Sequence, residues 1–155
     1  MSKSERTFVC LKPDAVQRGL IGDILERFER RGYQLVAMKM VTADRQLIES
    51  HYAEHKEQKF YPALVEYMCS GPVLAMVWEG LDAVRQARSM AGPTNPLASA
   101  PGTIRGDFGV LVCRNLVHAS DSLAAADAEI KLWFQDDELI EWNRTVDPWI
   151  YELDN

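Results

Sequence analysis

Residues Pro101–Ser122 read PGTIRGDFGVLVCRNLVHASDS, and the rest of the chain is best understood outward from them. Some twenty residues hold Arg105, Arg114, Asn115, His118 and a helix-start signature, Ser120-Asp121-Ser122. Arginines are fixed cations whose planar fork suits phosphate oxygens. A histidine just upstream of a helix N-terminus is a base or nucleophile beside a dipole that favours anions. Spacing alone favours a surface loop with a few charges and a cap, so the surrounding sequence has to decide.

With 155 residues the chain reads as a single domain, 1–155, long enough for a real core. Apolar residues make up 47% and charged residues 26%, which is the balance of a globular protein. The net charge of −6 is concentrated beyond residue 120, where acidic residues far outnumber Lys131 and Arg144. An acidic chain lacks the basic face of a nucleic-acid binder, but a few gathered cations still suit a small anionic ligand. Cys10, Cys69 and Cys113 are far apart and form no CxxC pair, which implies reduced thiols. The longest apolar run, Val73 to Trp78, is too short to span a bilayer. No apolar leader stretch follows Met1, and a cytoplasmic location is the expectation.

Upstream, Arg6–Lys12 carries the apolar run Phe8–Leu11 and predicts a buried strand ended by Pro13. Ile21, Ile24, Leu25 and Phe28 recur at helical spacing and predict a helix over 21–31, stopped by Gly32. Tyr33–Val41 predicts a second strand. Asp44 is a plausible N-cap for a helix carrying Leu47, Ile48 and Tyr52. Phe60, Leu64, Tyr67 and Met68 predict another helix, with those four on one face. Val73–Glu79 reads as a strand, and Asp82 as the cap of a helix through Arg88. Residues Gly92–Gly102 hold three prolines and no periodicity, so they form a long loop, a class usually reserved for function or contacts. Downstream of a final strand near Val110–Val117, Leu123, Ala126, Ile130 and Trp133 mark an amphipathic helix. The acidic tail carries Trp142, Trp149, Ile150 and Tyr151, apolar groups that need cover. Strands separated by helices suit a two-layer α/β sandwich, antiparallel or parallel.

The chain has neither a GxxxxGK[ST] loop nor a GxGxxG turn. Any nucleotide phosphates must therefore be held by discrete side chains. His51-Tyr52-Ala53-Glu54-His55 matches the H-x-x-E-H zinc pattern, in which His51 and His55 would share a helix face with Glu54 as base. That pattern is short, and a solvated helix face explains it more simply. His118, taken alone, is an ordinary strand-end histidine. As a nucleophile it must be neutral, with one ring nitrogen held so that the other is free. Glu129 lies on the next helix, from which a side chain can be imagined reaching back, though the sequence alone does not show that contact. Lys12, Arg88, Arg105 and Arg114 are each an unremarkable surface charge, but together they are what phosphoryl transfer requires.

Several blocks in fixed order now bear on the choice: E-R-T-F-x-x-x-K-P-D-A-V-Q-R-G-L-I-G from Glu5, H-Y-A-E-H, S-G-P-V-x-A-M-V-W-E-G, T-N-P, P-G-T-I-R-G-D-F-G and R-N-L-V-H-A-S-D-S. Together they resemble the nucleoside diphosphate kinase family, nearly end to end. The resemblance implies a ferredoxin-like α/β (α+β) sandwich with a four-stranded antiparallel sheet. It also implies transfer of the γ-phosphate of a nucleoside triphosphate, typically ATP, to a nucleoside diphosphate by a ping-pong route through phosphohistidine.

By the same resemblance His118 is the nucleophile, acting through Nδ1, with Glu129 fixing the other ring nitrogen and Ser120 beside it. Lys12 and Asn115 fall near the ribose 3′-hydroxyl. Tyr52 falls in the nucleotide pocket, and Arg88, Thr94 and Arg105 fall on the phosphates. Phe60 and Val112 would sandwich the base, with Leu64 beside them. Magnesium would be held mainly by phosphates and water, so no protein metal ligands are expected. Tyr52's place in the pocket leaves its neighbours in HYAEH as solvated helix residues. The implied partners are nucleoside tri- and diphosphates and further copies of the chain, a homohexamer rather than a tetramer. No membrane and no nucleic acid are required. Ala119 and Cys113 stand where glycine is commoner, and Pro93 precedes Thr94; none removes a functional group. A non-catalytic relative using the fold for binding is the other class in play, and the survival of all the phosphate-handling groups argues for the enzyme.

Overall fold

The computed structural model describes residues 4–152. Four strands, β1 (Ser4–Leu11), β2 (Gln34–Val41), β3 (Val73–Leu81) and β4 (Val117–Ala119), form one sheet in the order β2-β3-β1-β4. All neighbours are antiparallel, from Ser4 opposite Leu81 to Leu11 opposite Leu74, and with Cys10 opposite His118. This is the ferredoxin-like order, with β1 and β3 central. The helices are α1 (Pro13–Gln17), α2 (Ile21–Arg31), α3 (Arg45–His51), α4 (Tyr61–Met68), α5 (Ala83–Ala91), α6 (Ile104–Phe108) and α7 (Leu123–Trp133).

Helices cover both faces of the sheet, so the two-layer expectation gives way to three layers. Alternate residues of β1 divide between two cores. Phe8 and Cys10 pack with Ile48 of α3, Val65 and Met68 of α4, and Ile130 and Trp133 of α7. Val9 and Leu11 pack with Ile24 and Phe28 of α2, Ala83 and Ala87 of α5, and Ile104 of α6. A strand buried on both faces reads as an unbroken apolar run, which is why Phe8–Leu11 and Val73–Trp78 show no alternation.

The local signals act largely as their chemistry dictates. Gly32 ends α2 at φ 108°, where a side chain would be strained. Asp44 accepts the Leu47 amide at 2.8 Å and caps α3. Asp82 precedes α5 but does not cap it: its carboxylate takes the Arg85 and Gln86 side chains. Glu5, across on β1, accepts the Val84 amide at 3.0 Å instead. The α4 face also differs from expectation, with Tyr67 and Met68 buried while Phe60 stands 52% exposed.

The expected strand over Val110–Val117 is mostly not one. Exposed Val110–Arg114 bend through a 3₁₀ turn, and β4 begins only at Val117. Two residues of the long loop region also fall into a 3₁₀ turn with Pro96, and Ile104–Phe108 is helical. Gly106 allows that helix to lie on the loop, since a Cβ there would sit 2.0 Å from the Ala100 carbonyl oxygen. The tail is tied to β2, where Ile140 N–H donates to Val36 O at 3.0 Å and Trp142 Nε1–H to Leu35 O at 3.1 Å, but Ile140, Trp142, Val146 and Ile150 stay exposed. Trp149 remains 90% exposed. Among the described residues no helix is long and apolar enough to cross a membrane.

Candidate active site

The antiparallel pairing of β4 with β1 puts His118 beside Cys10, on the face that also carries Phe8. Its imidazole lies 4.4 Å from the His51 ring, 5.9 Å from Phe8 and 6.2 Å from Tyr52, centroid to centroid. Ser122 caps α7 through the Ala125 amide at 3.0 Å, so the helix begins just after β4 and returns Glu129 over His118. Nε2 of His118 is 2.8 Å from Glu129 Oε1 and 3.2 Å from Oε2. A carboxylate can only accept, so the ring proton sits on Nε2 and the lone pair on Nδ1. Among the described residues nothing bonds Nδ1. Ser120, fully buried, donates to the same Glu129 oxygen at 2.8 Å and accepts the Phe8 amide at 3.3 Å. It ties the carboxylate to β1.

Electrostatics keep this histidine neutral. Burial, and then Lys12, Arg105 and Arg88, push His118 down from an ordinary 6.5 to about 3. Burial raises Glu129, while the neighbouring histidine His51 and the Ser120 hydrogen bond pull it back.

The cations are built into the fold rather than displayed on its surface. Lys12, at the end of β1, donates from Nζ to Asn115 Oδ1 at 2.7 Å and is pushed down to about 8 by burial and by Arg105. Asn115 in turn donates from Nδ2 to the Thr94 carbonyl at 3.0 Å. Arg105 reaches three backbone carbonyls, Gly92 at 2.7 Å, Asn115 at 3.1 Å and Val117 at 2.5 Å. Burial and Arg88 lower it to about 10. Arg88 donates to the Ala119 carbonyl at 3.2 Å and is otherwise exposed. Tyr52 is buried, and its hydroxyl finds no partner. It is one of three such orphaned buried groups among the described residues, with Thr7 and Trp78.

The structure thus draws His118, Glu129, Ser120, Lys12, Asn115, Arg105, Arg88, Thr94 and Tyr52 around one end of β1 and β4. Phe60 and Val112 lie outside this hydrogen-bonded set, exposed by 52% and 54%, and Leu64 is half-buried.

His51 departs from the solvated role expected of it. Helix α3 ends at His51 and a separate 3₁₀ turn carries Glu54 and His55, so no single α-helix face joins the two histidines. His51 Nδ1 accepts the Trp133 indole N–H at 3.0 Å, and burial and His118 push it down to about 3. Its spacing from Ile48 was the available signal, since i and i+3 share a helix face. Among the described residues the one cluster with metal-like spacing is His51, His118 and Glu129, with donor atoms within 4.8 Å. Trp133 occupies His51 Nδ1, and His118 and Ser120 occupy Glu129, so hydrogen bonds engage all three residues and leave His118 Nδ1 free among the described residues.

A family model described as nucleoside diphosphate kinase matches residues 5–139. The chain belongs to the nucleoside diphosphate kinase family. A nucleoside diphosphate kinase of Brugia malayi is 62% identical over 148 residues, 96% of this chain and 97% of that one. The Saccharomyces cerevisiae nucleoside diphosphate kinase is 58% identical over 151 residues, covering 97% and 99%. Among solved structures, a halophilic nucleoside diphosphate kinase from Halobacterium salinarum in complex with CDP superposes with a TM-score of 0.95 at 51% identity, covering 97% of this chain and all of that one. The order of strands and helices described above is thus that of the family.

Proposed function

We propose that this chain is a nucleoside diphosphate kinase, a phosphotransferase that moves the γ-phosphate of a nucleoside triphosphate to a nucleoside diphosphate by way of phospho-His118. The observation that carries the reading is the 2.8 Å bond between His118 Nε2 and Glu129, which directs the lone pair to Nδ1. In the first half-reaction Nδ1 attacks the γ-phosphorus, an N–P bond forms, and the bond to the β,γ-bridging oxygen breaks to release a diphosphate. In the second, a terminal phosphate oxygen of another diphosphate attacks, the N–P bond breaks, and the histidine is restored. As the N–P bond forms, positive charge grows on the ring, and Glu129 beside Nε2 offsets it. Ser120 is the positioning group for that carboxylate.

Lys12, Arg105 and Arg88 face the spread negative charge of the transferring group, which is the main demand of phosphoryl transfer. Thr94 and the unpartnered Tyr52 hydroxyl supply neutral donors on the same side. Lys12 and Asn115, already joined at 2.7 Å, take the ribose 3′-hydroxyl. Phe60, Leu64 and Val112 present apolar surface to the base, and stacking on a face common to all bases gives broad acceptance. The donor set suits magnesium that arrives on the nucleotide: cations and committed donors surround His118, and Glu129 is occupied. When bound, the ion neutralises phosphate oxygens and keeps most of its waters. The proposal extends to one domain over 1–155, a cytoplasmic location and a homohexamer, with exposed Trp149 as one contact.

The test is incubation with γ-labelled ATP and magnesium without acceptor. Acid-labile, base-stable label that any diphosphate discharges, and that His118→Ala abolishes, is the expected result. Folded protein that takes up no label contradicts the reading.

A further inference from the structure

Between Asn115 and Val117 the chain turns within three residues. Val117 N–H donates to Asn115 O at 2.8 Å, and the central residue, Leu116, has φ +75°. That is a γ-turn of the rare hand, a conformation a branched L-residue resists unless its surroundings enforce it. Leu116 is completely buried, in the core formed with α2 and α5. Its N–H donates to Asp14 Oδ2 at 3.1 Å, and its carbonyl accepts the Lys12 N–H at 2.8 Å. The other oxygen of Asp14 accepts the Tyr67 hydroxyl from α4. Arg114 lies over the Tyr67 ring, 4.4 Å from its centroid.

Asp14 has a simple alternative explanation, an acidic residue in the first turn of α1 complementing the helix dipole. Yet both of its oxygens are spent across the fold, one on the strained turn and one on α4. What the turn positions is specific. Asn115 meets Lys12 through its side chain, and Arg105 bonds the carbonyls on both sides of Leu116, at Asn115 and Val117. Relaxing Leu116 toward negative φ would rotate the Asn115–Leu116 peptide and move the Asn115 amide off Lys12.

We propose that Asp14 is a positioning residue: its carboxylate, steadied by Tyr67, holds the left-handed Leu116 turn and thereby places the Asn115–Lys12 pair on the ribose 3′-hydroxyl. The inference rests on the function proposed above. A role only in stability would affect all substrates alike, whereas this one acts on the 3′-hydroxyl.

The measurement is kcat/KM for donor 2′-deoxynucleoside triphosphates against their 2′,3′-dideoxy counterparts, in wild type, Asp14→Ala, Asp14→Asn and Tyr67→Phe. The preference for the 3′-hydroxyl is expected to fall about tenfold in Asp14→Ala, the worth of one hydrogen bond. The dideoxy substrate should change little. Asp14→Asn keeps an acceptor for the Leu116 amide and should restore most of the preference. Tyr67→Phe, which leaves the carboxylate in place, should lower it by a factor of about two to three and serves if Asp14→Ala does not fold. Equal losses on both substrates, with the ratio unchanged in every variant that folds, overturn the proposal. So does a wild-type enzyme that labels His118 but shows no 3′-hydroxyl preference, and His118 chemistry then stands. Failure of wild-type labelling removes the underlying function, and the proposal with it.

Discussion

Around His118 the imidazole, Glu129, Ser120, Lys12, Asn115 and Arg105 are bonded to the protein before any ligand arrives, with the Tyr52 hydroxyl left unpartnered, whereas Phe60 and Val112, assigned to the base, stand more than half exposed. One region is rigid and polar, the other apolar and open. The contrast follows from what each has to do. Attack on phosphorus needs a lone pair at a fixed point, with cations already desolvated near it, because fixed dipoles cost no reorganisation during the reaction. Holding bases of different shape needs only a flat apolar surface, and a tightly bonded pocket there would select one of them.

Substitutions should therefore act differently in the two regions. The largest effect is expected from Arg105→Ala. It strips donors from three backbone carbonyls and removes a cation, so stability should fall by about 3 kcal/mol or more and kcat/KM by about 10³-fold. Denaturant unfolding and steady-state kinetics read these separately. Arg105→Lys should recover little, because one ammonium cannot span Gly92, Asn115 and Val117. Glu129→Gln should keep the fold and an acceptor for Nε2–H but lose the charge that offsets the phosphorylated ring. The rate of single-turnover labelling is expected to drop about 10²-fold.

On the open side, Phe60→Ala should raise KM by about tenfold for purine and pyrimidine nucleotides alike, from about 1–3 kcal/mol of stacking. Thermal unfolding should move little, as for other exposed sites. A Phe60→Ala variant that unfolds early, or that loses only one base, would break the comparison. The smallest effect concerns pH. Lys12 is held down near 8, and the charged amine is the form that meets the nucleotide, so affinity should fall as pH rises through 8. An ordinary lysine would hold its charge to near 10.5. A loss of about three- to tenfold between pH 7 and 9.5, measured by nucleotide titration, is the expected size.

Much of this fold could be read from residue patterns. Unbroken apolar runs marked β1 and β3 because helices bury both sides of each. Gly32 ended a helix by its backbone freedom, and Asp44 began one through its carboxylate. The layering could not be read, since a doubly covered strand has no alternation to reveal its faces. Exposed Val110–Arg114 resembled a strand by composition, yet it bends through a 3₁₀ turn just before Leu116, whose amide is held by Asp14, 102 residues away in sequence. The same distance rule governs the site. His118, Ser120 and Glu129 lie within a separation of 11 residues, so a helix returning over the strand could be imagined, but the contact itself could not be read from the sequence. His51 and Trp133 meet only through tertiary packing, 82 residues apart, and the HYAEH pattern pointed to solvent instead. Asp82 illustrates the limit most simply, as a residue of the right type at a cap position that Glu5 fills from another strand.

The central claim is that the fold delivers a neutral His118 with its lone pair on Nδ1. Nitrogen NMR of the histidine-labelled enzyme, before and after ATP, tests it directly. The account predicts an Nε2–H tautomer that does not titrate between pH 8 and about 4.5, and a phosphorus–nitrogen coupling to Nδ1 after phosphorylation. A ring that titrates near 6.5, or phosphorus attached to Nε2, would contradict it.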